Sequence, residues 1–211
     1  DGVGKVPGPD TEWQTDASAI APGKPVTLWW DNGEGQRFVL EIALDDQYMF
    51  AVTQRVENKG KTTLNLKPYG LLNRVRGEAE EYFAILHEGA LGVVGGELQE
   101  LRYDDLKEDG KKQFADTRGW IGITDKYWLA ALAPGKEAPF SATFQHQPAA
   151  IGDRFQTDYM GSVLSVAPGD TASATVHFFA GPKEVNLIEH YSESLGIPLF
   201  DRAIDFGVLY F

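Results

Sequence analysis

The sequence predicts a mainly β protein, a sandwich of antiparallel strands that is followed by two helices. Short runs of β-branched and aromatic residues alternate with turn compositions such as DNGEG, DDQ and ENKGK. Pro and Gly recur between these runs at the spacing of an all-β sandwich rather than of βαβ units. A helical period of apolar residues becomes clear only after Pro182, which places the predicted helices at the C-terminal end.

Residues 1–18 are predicted to be an extended N-terminal arm, because they are rich in Gly, Pro and Asp and have no periodicity. Trp13 is expected to fix this arm to the body, which we assign to residues 19–181. The body begins with a meander of antiparallel strands. In one of them apolar residues alternate with more polar ones, as expected of a strand with one wetter face: Phe50, Val52 and Val56.

The middle of the body is less regular and contains a glycine-rich bend at residues 92–96. This bend lacks the Lys-Ser/Thr of a phosphate loop, so we interpret it as a turn of a β-rich fold. The acidic run at residues 104–109 is predicted to be a solvated loop, since the spacing of a calcium-binding EF-hand is missing. Further strands are predicted in WIGIT and YWLAALA, which flank a turn at Asp125-Lys126, and in PFSATFQHQ, FQTDYMGSVLSVAPG and TASATVHFFAG.

Residues 182–211 are assigned to two C-terminal α-helices. In the first, Pro182 suits the first turn and Gly196 ends the helix, and one apolar stripe is formed by Val185, Ile188, Tyr191 and Leu195. Pro198 is expected to begin the second helix. Its apolar residues also fall at helical spacing, while its charges share a narrow strip: Asp201, Arg202 and Asp205.

After Asp205 the sequence reads FGVLYF, a run without charged residues. We expect this run to be the first part of a transmembrane helix, for which about 20 apolar residues are needed. The alternative that stays open is a helix that packs on its own domain. The chain begins with Asp1 rather than Met, which indicates either a removed targeting segment or an excised part of a longer protein, and we expect the excised part.

Charge and cysteine content exclude several function classes. Nineteen Lys and Arg stand against 31 Asp and Glu, and the net charge of −12 opposes binding to nucleic acid, which requires a basic surface. The same net charge repels anionic lipid, but this repulsion is screened beyond about 8 Å in physiological salt. An apolar segment beside the acidic body is therefore still able to enter a membrane. There is no cysteine, and the four histidines lack metal-ligand spacing, so we expect no disulfide, metal or cofactor.

Four stretches carry a resemblance to a known family: PVTLWWDNGEGQRFVLEIALDDQYMFAVTQRVEN, GWIGITDKYWLAALAP, FFAGPKE and LGIPLFDRAIDFG. Together they resemble the large periplasmic domain of the YidC/Oxa/Alb family of membrane-protein insertases, in an alphaproteobacterial-type form. The last stretch resembles the lead-in to the second transmembrane helix of that family. The resemblance covers most of residues 25–211.

This resemblance implies a β-supersandwich of the galactose-mutarotase-like type, closed by C-terminal helices and located on the periplasmic side of the bacterial inner membrane. It implies a non-catalytic role in an insertase and chaperone, with the Sec translocon and its SecD/SecF accessory proteins as partners and nascent membrane proteins as clients of the full-length protein. Arg202 does not match the functional arginine of the family's membrane-embedded groove, so no catalytic residue is carried over. The alternative function is a periplasmic carbohydrate-binding or mutarotase-like sandwich protein.

Two groups of residues are candidate sites. The first leads toward the membrane, and we expect it to couple the body to the first inserted helix: Ile197, Leu199, Phe200, Asp201, Arg202, Ile204, Asp205 and Phe206. The second group contains aromatic residues that a cleft would use for stacking, with core packing as the alternative: Trp29, Trp30 and Trp120. For the mutarotase-like alternative, His146 with Asp153 or Asp158 would supply the acid and the base, although no motif places them together.

Overall fold

The computed structural model describes residues 4–77, 86–150 and 152–205. Most of the described residues lie in strands, which confirms the mainly β class. The strands are, in chain order, β1 (Gln14–Thr15), β2 (Val26–Asp31), β3 (Gln36–Leu44), β4 (Met49–Asn58), β5 (Leu64–Leu66), β6 (Tyr69–Arg76), β7 (Gly89–Val94), β8 (Glu97–Arg102), β9 (Lys111–Thr117), β10 (Trp120–Thr124), β11 (Trp128–Pro134), β12 (Phe140–Pro148), β13 (Asp153–Gly161), β14 (Leu164–Val166) and β15 (Thr171–Pro182). The helices are α1 (Tyr103–Asp109), α2 (Val185–Ser194) and a 3₁₀ helix at Phe200–Ala203.

The strands and helices fall into two compact units. The first unit comprises Asp1–Pro68 and Ser162–Phe178, and the second comprises Tyr69–Gly161 and Phe179–Phe211. In the first unit the strand order is β1-β2-β3-β4-β15, and β5 pairs with β14 in a separate two-stranded sheet. A small core of Val56, Leu64 and Val166 lies there, and Asn58 donates from its amide nitrogen to the carbonyl of Val166 at 2.9 Å.

The second unit is a sandwich of two antiparallel sheets. One sheet has the order β11-β10-β7-β8 and the other has the order β6-β13-β12-β9. β10 contacts β6 and β13 of the opposite sheet, so the two sheets face each other. The most buried side chains of the described residues include several aromatic and aliphatic ones of this unit: Trp120, Tyr103, Phe144, Leu91, Ile121 and Leu129.

Two local predictions in the second unit are resolved by the structure. The glycine-rich bend is a tight turn between β7 and β8, where Gly95 and Gly96 adopt φ values of 66° and 82° that favour glycine. The prediction of a loop at residues 104–109 was wrong, because this run lies in α1, although all of its residues except Leu106 are exposed to solvent as expected. Helix formation there is favoured by the burial of Tyr103 and Leu106 on one face and by acidic residues in the first turn, near the positive end of the helix dipole.

Two helical segments are present near the C-terminal end, as expected. α2 matches the first predicted helix, although its buried face is formed by Leu187, Ile188 and Tyr191, whereas Val185 is exposed. The second segment is a single turn of 3₁₀ helix rather than an α-helix. In the described ranges, every helix is too short or too polar to cross a bilayer. The FGVLYF run, including Phe206, lies outside the described residues.

Candidate functional site

Residues 197–205, which we call the C-terminal segment, pack against the second unit by every third side chain. Ile197, Phe200 and Ala203 are 5%, 1% and 3% exposed, whereas Leu199 is 42% exposed. A spacing of three residues places side chains on one face of a 3₁₀ helix, which has three residues per turn. Phe200 and Ala203 lie within the 3₁₀ helix, and its geometry turns both of them toward the core.

Phe200 packs against aromatic side chains from other parts of the second unit. Its ring meets the edges of Trp120 and Phe179, with centroid distances of 5.1 and 5.9 Å and interplanar angles of 89° and 81°. Phe179 in turn contacts Tyr191 of α2 at 5.9 Å. Edge-to-face pairs of this kind contribute about 0.5–1.5 kcal/mol each beyond the burial of their area.

Trp120 is fully buried beneath the C-terminal segment. Its indole N–H donates to the carbonyl of Pro198 at 3.0 Å, so its single polar group is used to hold the segment. Trp29 and Trp30 are half-buried on β2 of the first unit, where Trp30 lies against Phe38 with a centroid distance of 5.8 Å. Trp120 is thus placed in a packing role, while the other two tryptophans retain partly accessible rings.

Leu199 has a strained backbone at the start of the 3₁₀ turn. Its φ of 52° and ψ of 32° lie in the left-handed region, which costs a residue with a Cβ roughly 1–2 kcal/mol. The two residues before it are fixed, since the carbonyl of Pro198 accepts from Trp120 and the carbonyl of Ile197 accepts from the Ser192 hydroxyl at 3.0 Å. Strain of this kind persists only where the surroundings determine the conformation, so the segment is held in one geometry.

The C-terminal segment ends in a charged cluster around Asp205. The Asp205 carboxylate accepts a hydrogen bond from the backbone N–H of His87 at 2.9 Å. Burial lowers the pKa of the Lys183 ammonium, and the nearby carboxylates of Asp205, Glu88 and Asp125 act in the opposite direction. The segment is therefore fixed at its far end by the hydrogen bond from His87, and the charges of Asp205 and Lys183 attract each other.

His87 contributes to this cluster through its backbone and its ring. Burial is the main cause that lowers the pKa of its imidazole. The ring Nε2–H donates to the carbonyl of Ala90 at 3.1 Å, which suits the neutral imidazole. His87 thus supports Asp205 through its backbone, while its ring is fixed by the carbonyl of Ala90.

A second cluster of charged and aromatic residues lies beside β6 and α1. Asp125 accepts hydrogen bonds from the guanidinium of Arg74 and from the hydroxyl of Tyr103, both at 2.9 Å. The guanidinium of Arg76 lies 4.5 Å from the centroid of the Tyr103 ring. Burial raises the pKa of Tyr103, so this hydroxyl stays a hydrogen-bond donor across the physiological range.

A cavity of about 210 Å³ opens next to this cluster, and Asp153, one member of the acid–base pair considered above, lines it. The structure brings His146 and Asp153 together at 2.7 Å, whereas Asp158 bonds to Gln156 instead. Lys107 also binds Asp153, at 2.6 Å, and the hydrogen bonds from Lys107 and His146 lower the pKa of that carboxyl. A general acid near neutral pH needs a carboxyl whose pKa is raised, whereas the Asp153 carboxylate is held ionised and forms an ion pair with Lys107.

Metal ligands do not gather in the described part of the chain, where no group of three or more His, Asp or Glu side chains is suitably placed. Of the candidate site residues, the structure collects Ile197, Phe200, Asp205 and Trp120 into one site at the C-terminal segment. It adds three residues that sequence analysis missed, namely His87, Phe179 and Lys183. Lys183 lies in the stretch FFAGPKE, which the sequence analysis used only for the resemblance to the family.

Comparison with known proteins identifies a family. A family model described as the YidC periplasmic domain matches residues 1–211. The chain is 39% identical over 207 residues to a protein named membrane protein insertase YidC from Rickettsia felis, covering 98% of this chain and 37% of that protein. It is 40% identical over 219 residues to the protein of the same name from Methylobacterium radiotolerans, covering 99% and 36%. The chain thus spans little more than a third of the length of these relatives.

Solved structures show the fold. A galactose mutarotase related enzyme from Lactobacillus acidophilus matches with a TM-score of 0.59 and 13% identity, over 82% of this chain and 72% of that one. A protein from Synechocystis sp. PCC 6803 matches with a TM-score of 0.55 and 12% identity, over 81% and 66%. At this identity the similarity confirms the galactose-mutarotase-like fold and does not extend to activity.

Proposed function

Because the chain belongs to the YidC periplasmic domain family, we propose that it is a non-catalytic orienting domain of a membrane-protein insertase. In this role the C-terminal segment is a rigid joint between the second unit and the membrane segment that follows Asp205 in the full-length protein. The joint sets the tilt of the domain relative to the bilayer. The domain stands on the periplasmic side of the inner membrane.

The observation that carries this proposal is the fixation of the C-terminal segment along its whole length. Ile197, Phe200 and Ala203 are buried, and Asp205 is bonded to the backbone of His87. A flexible tether needs none of these contacts, and each of them costs conformational entropy to form. A chain that is held so closely up to Asp205 transmits the position of the second unit to whatever follows.

Partners and clients follow from the family. The Sec translocon and the SecD/SecF proteins are the proposed partners of the domain, and nascent membrane proteins are the proposed clients of the full-length insertase. The acidic surface, with a net charge of −12, favours partner surfaces with a basic excess. Contacts of this kind weaken as the salt concentration rises.

A sugar-directed function, as a carbohydrate-binding or mutarotase-like protein, is the second candidate. The fold and the meeting of His146 with Asp153 favour it. Lys107 opposes it, because its ammonium holds the pKa of Asp153 low and occupies the same carboxylate. The orienting role accounts for more of the observed contacts, so it is the function that we propose.

The experiment replaces residues 197–205 of the full-length insertase by a Gly-Ser linker of equal length and measures the insertion of a client membrane protein. We expect insertion to fall, because the domain then no longer has a fixed tilt. A matched control inserts three Gly-Ser residues at the exposed turn of Gly95 and Gly96, where insertion of the client should be retained. Undiminished client insertion with the linker would refute the orienting role.

A further inference from the structure

Two aromatic side chains project from the turn between β10 and β11 of the second unit. Tyr127 and Trp128 are 62% and 61% exposed, more than any other large apolar residue in the described ranges. Every residue of β10 is buried, and so are most residues of β11 beyond Trp128. Tryptophan and tyrosine are usually buried over most of their surface, so a pair exposed to this extent calls for a partner.

The turn that carries these rings is rigid. The backbone N–H of Asp125 donates to the carbonyl of Trp128 at 3.0 Å, and the carbonyl of Tyr127 accepts from the N–H of Lys183 at 2.9 Å. The hydroxyl of Thr124 lies 3.1 Å from the carbonyl oxygens of Asp125 and Trp128. The side chain of Asp125 is held by Arg74 and Tyr103. The exposure of the rings is thus imposed by the fold and is not a property of a loose loop.

The exposed turn lies at the same end of the second unit as Asp205. Thr124, just before the turn, pairs with Gly89, and His87, two residues before Gly89, donates to Asp205. Lys183 links the two places, since its backbone contacts Tyr127 and its ammonium is attracted by Asp205. The C-terminal segment therefore reaches its last described residue beside the aromatic turn.

The composition of the turn is that of a membrane interface. Trp and Tyr are enriched at the level of the lipid headgroups, and lysine extends its ammonium toward the water while its stem stays apolar. The ammonium of Lys126 lies 5.0 Å from the centroid of the Tyr127 ring, so charge and aromatic surface are combined in one projection. The net charge of −12 opposes attraction to anionic lipid, which leaves insertion of the rings as the force for such a contact.

We propose that Lys126, Tyr127 and Trp128 form a second membrane contact, in which the two rings enter the headgroup region of the bilayer beside the point where the C-terminal segment ends. This inference rests on the proposed function in one respect, namely that the chain after Asp205 leads into the membrane. Two points of contact fix the tilt of the second unit better than one. Two aromatic residues bind weakly alone, but the tether raises their effective concentration at the bilayer.

The test uses the chain with a C-terminal His-tag on vesicles of phosphatidylcholine, brominated on the acyl chains near the headgroup, and a nickel-chelating lipid. Tryptophan emission should be quenched, and Trp128→Phe should abolish the quenching. Trp29→Phe is the matched control and should retain it. The quenching should not depend on salt, and replacing part of the phosphatidylcholine by an anionic lipid should not increase it.

Emission that is not quenched, or quenching that is equal in the chain and in Trp128→Phe, would overturn the membrane contact and leave the turn to a protein partner. Trp128 is exposed, so its replacement should leave the fold intact, which circular dichroism checks. The quenching does not depend on client insertion. A failed quenching test with a harmful linker at residues 197–205 therefore rejects only this inference, whereas a harmless linker rejects the orienting role.

Discussion

Replacing Phe200 by alanine should weaken the attachment of the C-terminal segment strongly. Phe200 is only 1% exposed, so the transfer and cavity costs of a buried Phe→Ala change apply in full, about 3–5 kcal/mol. The loss of two edge-to-face contacts, with Trp120 and Phe179, places the expected cost in the upper part of that range. If this exceeds the free energy that holds the segment down, the segment detaches while the strands stay folded, which limits the loss of global stability.

Two assays are used. Urea unfolding measures global stability, and hydrogen exchange under native conditions measures the protection of the His87 amide, which donates to Asp205. Phe200→Ala should lower the unfolding midpoint or, if the segment detaches, abolish the protection of that amide. Leu199→Ala is the matched control: its side chain is 42% exposed, so we expect a loss of at most about 1 kcal/mol. Equal and small effects of both substitutions, with an unchanged His87 amide, would refute the reasoning.

Two further predictions concern polar groups that are fully or partly buried. The Thr157 hydroxyl is fully buried and has no hydrogen-bond partner among the described residues, so Thr157→Val should stabilise the chain by about 1 kcal/mol. Thr124→Val, at an equally buried threonine with two carbonyl partners, should instead destabilise it by about 1 kcal/mol, and urea unfolding compares the two. Burial lowers the pKa of His177 in the folded chain, so as the pH falls this histidine is protonated in the unfolded chain before it is protonated in the folded chain. The free energy of unfolding should therefore fall as the pH drops below about 6.5. His177→Gln should make the midpoint differ less between about pH 7.5 and about pH 5.5, and an unchanged difference would contradict this origin.

Much of the fold was predictable because its signals are local. The alternation from Phe50 to Val56 gave β4, and the stretch after Pro182 gave α2. Both depend on hydrophobic periodicity, which the chain carries within a short window. The family was also accessible from short stretches of sequence, and the family match confirms it.

The second C-terminal helix was less predictable because its geometry depends on distant residues. Apolar residues at positions 200, 203 and 204 fit an α-helix as well as a 3₁₀ turn. The choice is made by Trp120, which binds the carbonyl of Pro198, and by Phe179, which receives the ring of Phe200. Neither contact is visible in the sequence, since both partners come from other strands.

The aromatic turn shows how a small shift hides a site. The turn was predicted at Asp125-Lys126, whereas Asp125 bonds to Trp128 and the turn is formed by Lys126 and Tyr127. A shift of one residue moves every following side chain of a strand to the opposite face. The stretch YWLAALA has no charged residue that would have revealed the correct face, and Trp128 was not among the candidate aromatic residues.

The central claim, a rigid joint at residues 197–205, is tested most directly by a distance distribution in the full-length insertase in lipid nanodiscs. This chain has no cysteine, so a spin label at Glu189→Cys on the exposed side of α2 adds a unique position within it, and a second label is placed in the proposed membrane segment that follows this chain in the full-length protein. Double electron–electron resonance should give one narrow distribution of the distance between the two labels, which Phe200→Ala broadens and Leu199→Ala leaves unchanged. A broad distribution in the unsubstituted protein, equal to that with a Gly-Ser linker at residues 197–205, would contradict the account.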